Sequence, residues 1–95
     1  MRRLTWTDRA LTDLEALRAY VSQEDPDAAR GQVLRILKAV ETLAEHPGLG
    51  RPGRVAGTRE LVVPRTPYIV PYRATDGWIE ILRVLDSAMR WPTRL

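Results

Sequence analysis

Residues 59–85, RELVVPRTPYIVPYRATDGWIEILRVL, contain three short runs of aliphatic, β-branched and aromatic residues separated by two turn signals. The runs are Arg59–Val63, Tyr68–Arg73 and Trp78–Leu85. Runs of this kind predict β-strands, and the Asp76-Gly77 pair between the last two is typical of a tight hairpin turn. The third run is apolar on both faces after Glu80, which favours a buried, central strand. The stretch therefore predicts three consecutive antiparallel strands.

Prolines interrupt this stretch at three positions. Pro64 and Pro67 bound the segment between the first two runs, where they fit a turn. Pro71 lies inside the second run, and proline has no N–H to donate to a sheet ladder. We therefore expect a bulge or an irregular stretch at Pro71.

Two amphipathic helices are predicted upstream of these strands. Thr7 is a suitable N-cap for the first helix, and Asp25-Pro26 is typical of a cap followed by proline at the first position of the second. The apolar faces recur at helical spacing as Leu11, Leu14, Leu17 and Val21, and as Ala29, Val33, Ile36, Val40 and Leu43. His46-Pro47 ends the second helix. A short strand, Leu4–Trp6, is predicted before the first helix.

These elements predict one α+β domain over residues 1–95 with the order β-α-α-β-β-β. The short connection between the helices favours an antiparallel helical hairpin, which would cover one face of a small, mostly antiparallel sheet. The other sheet face would stay partly bare, and such a surface on a small protein is usually used for binding. Trp91-Pro92 is expected to anchor a C-terminal tail folded back onto the body.

The composition excludes several kinds of site. The chain has no cysteine and one histidine, so thiolate metal sites and disulfides are impossible, and we expect no metal and no cofactor. No apolar run approaches the roughly 20 residues that cross a bilayer, and no apolar signal core follows the basic N-terminus. We therefore expect a cytoplasmic protein without a membrane partner.

Arginine is unusually frequent. The net charge is only +3, but fourteen of the fifteen basic residues are arginine, and the second half from residue 51 has eight arginines against four acids. Codon bias with solvated surface arginines explains most of this number. The asymmetry between the two halves nevertheless favours an anionic partner, because the guanidinium group binds phosphates and carboxylates through two bonds.

One arginine falls in each of the three predicted strands, at Arg59, Arg73 and Arg83. If the strands pair in hairpin order, these side chains could converge and bind phosphates or a partner's carboxylates. The alternative is an internal salt bridge to a nearby acid, because buried arginines are usually paired. The acids considered for that salt bridge are Glu60, Glu80 and Asp86.

A basic loop, Gly50-Arg51-Pro52-Gly53-Arg54, follows the second helix. It is not a phosphate-binding P-loop, since it follows a helix rather than a strand and lacks the lysine. Solvated arginines in an ordinary connection are the more frequent case. The candidate anion-binding residues, besides Arg59, Arg73 and Arg83, are therefore Arg51 and Arg54 of this loop and Arg90 of the tail.

The order of several short motifs resembles the RelE/ParE toxin superfamily, from about Leu4 to Pro92. The motifs are His46-Pro47, Gly50-Arg51-Pro52, Arg59-Glu60-Leu61, Pro67-Tyr68-Ile69-Val70, Tyr72-Arg73 and Ile81-Leu82-Arg83-Val84-Leu85. The resemblance implies the fold described above, a bacterial or archaeal cytoplasm, and an antitoxin whose flexible, partly helical segment wraps and blocks the toxin.

The superfamily has two activities. RelE-type members cleave mRNA on the ribosome, whereas ParE-type members inhibit DNA gyrase without being nucleases. Arg59, Arg73 and Arg83 could supply cations to a nuclease, but the loop has no acid or lysine, and Asp86 stands where many relatives have histidine. An ionised aspartate accepts a proton but is a poor acid near neutral pH.

The resemblance is therefore closer to ParE. It predicts a toxin that inhibits gyrase and is neutralised by an antitoxin. A ribosome-dependent mRNA interferase, with Arg59, Arg73, Arg83 and Asp86 as candidate catalytic residues, is the alternative. A third alternative is a relative that has lost toxicity and only binds its partner.

Overall fold

The computed structural model describes residues 1–95 as six strands, two α-helices and one 3₁₀ turn. The strands are β1 (Arg3–Trp6), β2 (Arg51–Pro52), β3 (Arg59–Val62), β4 (Tyr68–Thr75), β5 (Trp78–Ile81) and β6 (Leu85–Asp86). The helices are α1 (Asp8–Ser22) and α2 (Pro26–Glu41), and the 3₁₀ turn spans Thr42–Ala44. The predicted α+β class is confirmed. The predicted element order is also present, with β2 added and the third run divided into β5 and β6.

The sheet has the strand order β1-β5-β4-β3-β2, with β6 paired to β4 beyond the end of β5. All pairs are antiparallel except β1 with β5, which are parallel. The third run was predicted to be the central strand. Its first part, β5, has neighbours on both sides, but β4 is the centre of the sheet because its eight residues pair with β3 on one edge and with β5 and β6 on the other.

Both helices begin at the predicted caps. The Thr7 hydroxyl accepts the Ala10 N–H at 3.1 Å, and the Asp25 carboxylate accepts the N–H groups of Asp27 and Ala28 at 3.1 Å each. The helices pack together and bury their apolar faces on one side of the sheet. Leu11 was predicted on the buried face of α1 but is half-exposed. Ala10 is buried instead, so the face of α1 against the sheet begins at Ala10 and continues through the predicted Leu14 and Leu17.

A β-bulge interrupts the ladder opposite Pro71. Tyr72 pairs with Ile81 and Ile69 pairs with Leu85, so two residues of β4 face three residues between β5 and β6. The Pro71 carbonyl accepts the N–H groups of both Leu82 and Arg83, at 2.9 and 3.4 Å. The Pro71 nitrogen, which carries no hydrogen to donate, therefore lies opposite the bulge, where the regular ladder of hydrogen bonds is already interrupted. The irregularity expected at Pro71 is present, on the neighbouring strand.

The C-terminal tail folds back on the body through Trp91, as predicted. The Trp91 indole N–H donates to the Asp86 carbonyl at 3.1 Å, and the Arg54 guanidinium lies 3.7 Å from the centre of the Trp91 ring. At the end of the tail, the Leu95 carbonyl accepts a hydrogen bond from Arg9 of α1 at 2.9 Å. No helix combines the length and apolarity that crossing a membrane requires.

Candidate binding surface

The sheet face opposite the helices is called the outer face below. Alternation along each strand defines it: Leu61, Val70 and Ile79 point into the core beneath the helices, so their neighbours along each strand point the other way. Its residues are Arg3, Thr5, Arg51, Glu60, Val62, Ile69, Pro71, Arg73, Thr75, Trp78 and Glu80. The outer face is therefore rich in arginine and also bears a partly exposed tryptophan.

The three strand arginines do not converge. Arg59 pairs in register with Tyr72, and the next residue of β4, Arg73, pairs with Glu80. Adjacent residues of one strand point to opposite faces, so Arg59 lies on the helix side and Arg73 on the outer face. Arg83 reaches toward α1. The predicted convergence of Arg59, Arg73 and Arg83 is therefore wrong.

Arg83 forms an ion pair with Asp13 of α1. Its Nε donates to Asp13 Oδ2 at 2.7 Å and its Nη2 donates to Oδ1 at 3.0 Å, while the Val84 N–H also donates to Oδ2 at 3.0 Å. The Arg83 and Asp13 side chains are only 18% and 16% exposed. The hydrogen bonds that Arg83 donates to Asp13 raise the pKa of Arg83 above its ordinary value. An internal salt bridge thus neutralises Arg83, but its acid is Asp13, which was not among the carboxylates considered.

Arg59 and Arg73 also have partners inside the chain. Arg73 Nη1 lies 3.2 Å from Glu80 Oε1 across the β4–β5 pair, and both side chains remain nearly half-exposed. Arg59 Nη1 donates to the Gly50 carbonyl at 2.7 Å and so fixes the start of the basic loop. Arg59 is therefore a structural residue, while Arg73 stays accessible to a partner because an exposed ion pair is weak.

The basic loop is held by a buried acid, Glu60. Its side chain is 3% exposed, lies 3.3 Å from Arg51 Nη2, and accepts the backbone N–H of Arg54 at 2.8 Å. Arg54 Nε lies 3.8 Å from Glu60 Oε2, the same oxygen that accepts the Arg54 N–H, and the Arg54 guanidinium stacks on Trp91. Two candidate anion-binding residues, Arg51 and Arg54, thus come together on one carboxylate. Sequence reasoning missed this role of Glu60, although an acid beside the aliphatic run Leu61–Val63 was a signal.

Tyr72 fixes the other side of the same loop. Its hydroxyl donates to the Pro47 carbonyl at 2.7 Å and accepts the Gly50 N–H at 2.8 Å. The ring is fully buried, and this burial raises the pKa of the Tyr72 hydroxyl. Gly50 is needed at this contact, because a Cβ there would lie 2.6 Å from Tyr72 Cε1.

Asp86 lies in a groove between α1 and β6, together with Arg83. Its Oδ1 accepts the Ala88 N–H at 2.8 Å, and its carbonyl accepts the Trp91 indole N–H, so the residue fixes the start of the tail. Arg90 lies in the exposed tail. Arg83 and Asp86 are the predicted catalytic candidates that the fold places in one groove.

The arrangement is better suited to binding than to acid–base catalysis. Strand-cleaving chemistry needs a proton acceptor and a proton donor on opposite sides of one phosphate. On the outer face the acids are Glu60, which is occupied by the loop, and Glu80, which is paired with Arg73. Burial and the nearby Asp86 raise the pKa of Tyr68, which keeps that hydroxyl protonated. No three histidine or carboxylate side chains lie close enough to hold a metal ion.

The family model that describes the ParE toxin of the type II toxin–antitoxin system parDE matches residues 4–91. Among curated proteins, Y4kP of Sinorhizobium fredii is 50% identical over 91 residues, which cover 96% of this chain and 94% of that protein. Toxin RelE2 of Caulobacter vibrioides is 43% identical over 88 residues, covering 93% of this chain and 98% of the relative.

Among solved structures, a chain of the chromosomal ParDE toxin–antitoxin system from P. aeruginosa superposes with a TM-score of 0.80 at 36% identity. The match covers 90% of this chain and 96% of that one. The similarity therefore extends over helices, sheet and basic loop together.

Proposed function

This chain belongs to the ParE toxin family of type II toxin–antitoxin systems, and from that premise we propose that it is a non-enzymatic inhibitor of DNA gyrase, acting in the cytoplasm. As a type II toxin it has an antitoxin as partner. The gyrase assignment comes from the activity of the ParE branch, which this chain resembles.

The observation that carries the proposal is the charge on the outer face. Arg51 and Arg73 on this face, and Arg54 of the adjoining loop, each keep about half of their side chain exposed, whereas one of the two opposing acids, Glu60, is buried. The accessible charge on this face is therefore positive. Such a surface would steer the toxin toward an acidic region of a protein target and would need no proton transfer.

The test incubates the purified chain with gyrase and supercoiled plasmid. We expect loss of supercoiling activity and, after detergent and protease treatment, linear plasmid from trapped gyrase–DNA breaks. Unchanged supercoiling at a tenfold excess of toxin over gyrase would contradict the proposal.

A ribosome-dependent mRNA interferase is the second candidate, because Arg83 and Asp86 share one groove and a 43% identical relative is named Toxin RelE2. Under this hypothesis Arg83 would have to leave Asp13 to bind a phosphate. In vitro translation with a labelled mRNA separates the two candidates, since cuts that require the ribosome would establish the interferase and defeat the gyrase proposal.

A further inference from the structure

Three positive side chains line one shallow concavity between α2 and the turn that joins β3 to β4. Arg35 and Lys38 lie about one helical turn apart on α2, and Arg65 lies in the β3–β4 turn. All three are exposed, and the concavity between them holds about 190 Å³. The rest of its lining is neutral and consists of Ala39, Thr42 and Pro64. The three cations are called the edge patch below.

No acid of the chain neutralises the edge patch. None of its three cations takes part in an ion pair, whereas the exposed Arg18, Arg51 and Arg73 each have a carboxylate partner. Glu41 and Glu45, at the end of α2 and just beyond it, do not line the concavity. Like charges around one concavity repel one another, so an anion placed between them is bound favourably.

Two backbone positions at the edge patch are ones that their residue types disfavour. Arg65 has a φ of 62°, in the left-handed region that residues with a Cβ rarely adopt. The Thr66 hydroxyl holds the turn in this shape, with hydrogen bonds of 3.0 and 3.1 Å to the main chain on either side. Gly31 lies inside α2, where glycine weakens a helix, and a Cβ there would lie 3.2 Å from Arg35 Nη1. Disfavoured positions are concentrated at binding sites, and both of these place a guanidinium group.

The edge patch continues onto the outer face around the β3 edge of the sheet. Ala39, Thr42 and Pro64 also line a second groove of about 480 Å³, which Arg51 of the outer face borders. The strand β2 pairs with only two residues of β3, so no strand separates the two surfaces beyond them. A ligand on the edge patch therefore lies beside any partner bound to the outer face.

The lining of the concavity favours the backbone of a nucleic acid duplex. It has no aromatic side chain, on which the bases of a single strand would stack. It also lacks the aromatic and methionine anchors that the centre of a protein–protein interface uses. Protein–DNA interfaces are more polar and much more positively charged, and their arginines and lysines bind phosphates without reading the bases.

We propose that the edge patch binds the phosphate backbone of double-stranded DNA without reading its sequence. The choice of DNA rests on the proposed function, because gyrase acts on a DNA duplex and a toxin on gyrase has that duplex as a neighbouring anion. The inference adds a second contact of the toxin, made with the DNA rather than with the enzyme.

The test measures binding of the purified chain to a fluorescently labelled duplex of about 20 base pairs, by anisotropy and without gyrase, at several salt concentrations. The logarithm of the association constant should fall with the logarithm of the salt concentration with a slope of about −2.7. Three neutralised phosphates contribute about −0.9 each to that slope. Two duplexes of unrelated sequence should give Kd values within about twofold of each other.

Arg65→Gly is the most informative variant. Glycine adopts a φ of 62° freely, so the turn is kept while the guanidinium group is removed. We expect the Kd at low salt to rise about threefold to tenfold and the slope to become shallower by about 0.9. Arg65→Lys keeps the charge and should restore most of the binding.

The two helix cations are tested with a control on the same helix. Arg35→Gln and Lys38→Gln should each weaken binding as Arg65→Gly does, and the three changes together should raise the Kd at least tenfold. Arg30→Gln is the matched control, because Arg30 is exposed on α2 and does not line the concavity. It should leave the Kd within twofold, and all variants should melt within a few degrees of the unaltered chain.

Three results would overturn the inference. A triple variant that binds the duplex as tightly as the unaltered chain would place the contact elsewhere. A loss from Arg73→Gln as large as that of the triple variant would assign the DNA to the outer face. A poly-glutamate peptide or a single-stranded RNA that binds more tightly than the duplex, and is lost in Arg65→Gly, would identify a different occupant.

The supercoiling assay keeps the two proposals separate. Inhibition of gyrase by a chain that does not bind DNA on its own would refute the edge-patch contact and leave the proposed function standing. DNA binding through the edge patch without any inhibition of gyrase would refute the proposed function and leave the contact standing.

Discussion

The Asp13 carboxylate binds Arg83 through two hydrogen bonds of 2.7 and 3.0 Å, although 70 residues separate the two in sequence. The same carboxylate also accepts the Val84 N–H next to the bulge. A single acid of α1 thus fixes both the arginine of the third run and the irregular backbone that presents it.

Asp13→Asn should destabilise the fold by about 1–3 kcal/mol, because the variant leaves a largely buried guanidinium without its counter-charge. Urea denaturation measures the difference. Glu15→Gln is the control, since the Glu15–Arg18 pair is exposed to water and should contribute little to stability. Equal effects of the two variants would show that the Asp13–Arg83 pair contributes no more than a surface pair.

Arg83→Ala is consequently a poor test of function. It would leave the Asp13 carboxylate buried without its cation, so a loss of toxicity would follow from unfolding alone.

Arg73→Ala is the sharper functional test. Arg73 is on the outer face in an exposed ion pair, so its removal should change the free energy of unfolding by less than about 1 kcal/mol. If the outer face contacts the target, the toxin concentration needed for half-inhibition of gyrase should rise at least tenfold. Arg30→Ala, an exposed arginine of α2, should have no effect on inhibition. Full inhibition by Arg73→Ala would remove the outer face from the contact.

Gly50→Ala should destabilise the chain by about 1–3 kcal/mol through overpacking. The added methyl group would lie 2.6 Å from Tyr72 Cε1 and 2.9 Å from the Glu60 carbonyl oxygen. Gly48→Ala is the matched control two residues away, because nothing lies within 4 Å of the Cβ it would add. Thermal unfolding followed by circular dichroism compares them, and similar midpoints would contradict the tight contact at Gly50.

Stability should fall at alkaline pH. Burial raises the pKa of Tyr72 and Tyr68 in the folded chain above the unfolded value of about 10. Raised pKa values mean that the neutral hydroxyls stabilise the fold fully below about pH 10 and that this stabilisation is lost as the pH rises further. Urea midpoints at intervals from pH 8 to pH 11 measure the decline.

Tyr72→Phe tests whether the Tyr72 hydroxyl causes the loss of stability at alkaline pH. The variant should be less stable at pH 8, because the Gly50 N–H and the Pro47 carbonyl lose their partner, but its decline above pH 10 should be shallower. A decline as steep as that of the unaltered chain would assign the effect to other groups.

Trp91→Ala should release the tail without unfolding the sheet. It removes the stacking on Arg54 and the hydrogen bond to the Asp86 carbonyl, which hold the tail to the body. Trypsin should then cleave after Arg90 several times faster, which mass spectrometry can follow. Trp91→Phe keeps a ring for Arg54 and should give an intermediate rate. Identical rates in all three chains would mean that Trp91 does not anchor the tail.

Local signals in the sequence were sufficient for both helices and the longer strands, but not for the two-residue strands β2 and β6. Thr7, Asp25 and the Asp76-Gly77 turn act through neighbours only a few residues away, so composition and spacing predict them. Pro71 also signalled the bulge, although not the strand that contains it. Bulge position depends on which strand pairs with Pro71, and that information is not local.

The candidate site could be predicted in its residues but not in its arrangement. The register set by the Asp76-Gly77 turn places Arg73 opposite Glu80, and the same count puts Arg59 on the other face. The opposite faces of Arg59 and Arg73 follow from the alternation of side chains along β3 and β4 and could have been deduced from the sequence. The Asp13–Arg83 pair could not, because it depends on how α1 docks against β6, and neither partner carries a mark of that contact in the sequence.

The parallel pairing of β1 with β5 joins Arg3–Trp6 to Trp78–Ile81, nearly the full length of the chain. A nascent polypeptide cannot complete this pairing until its last quarter has been translated, since the partner strand does not exist before then. The pairing of the first strand must therefore wait until residues 78–81 have left the ribosome. Until then the chain lacks the finished arginine surface, because Arg3 of β1 has no partner strand beside it.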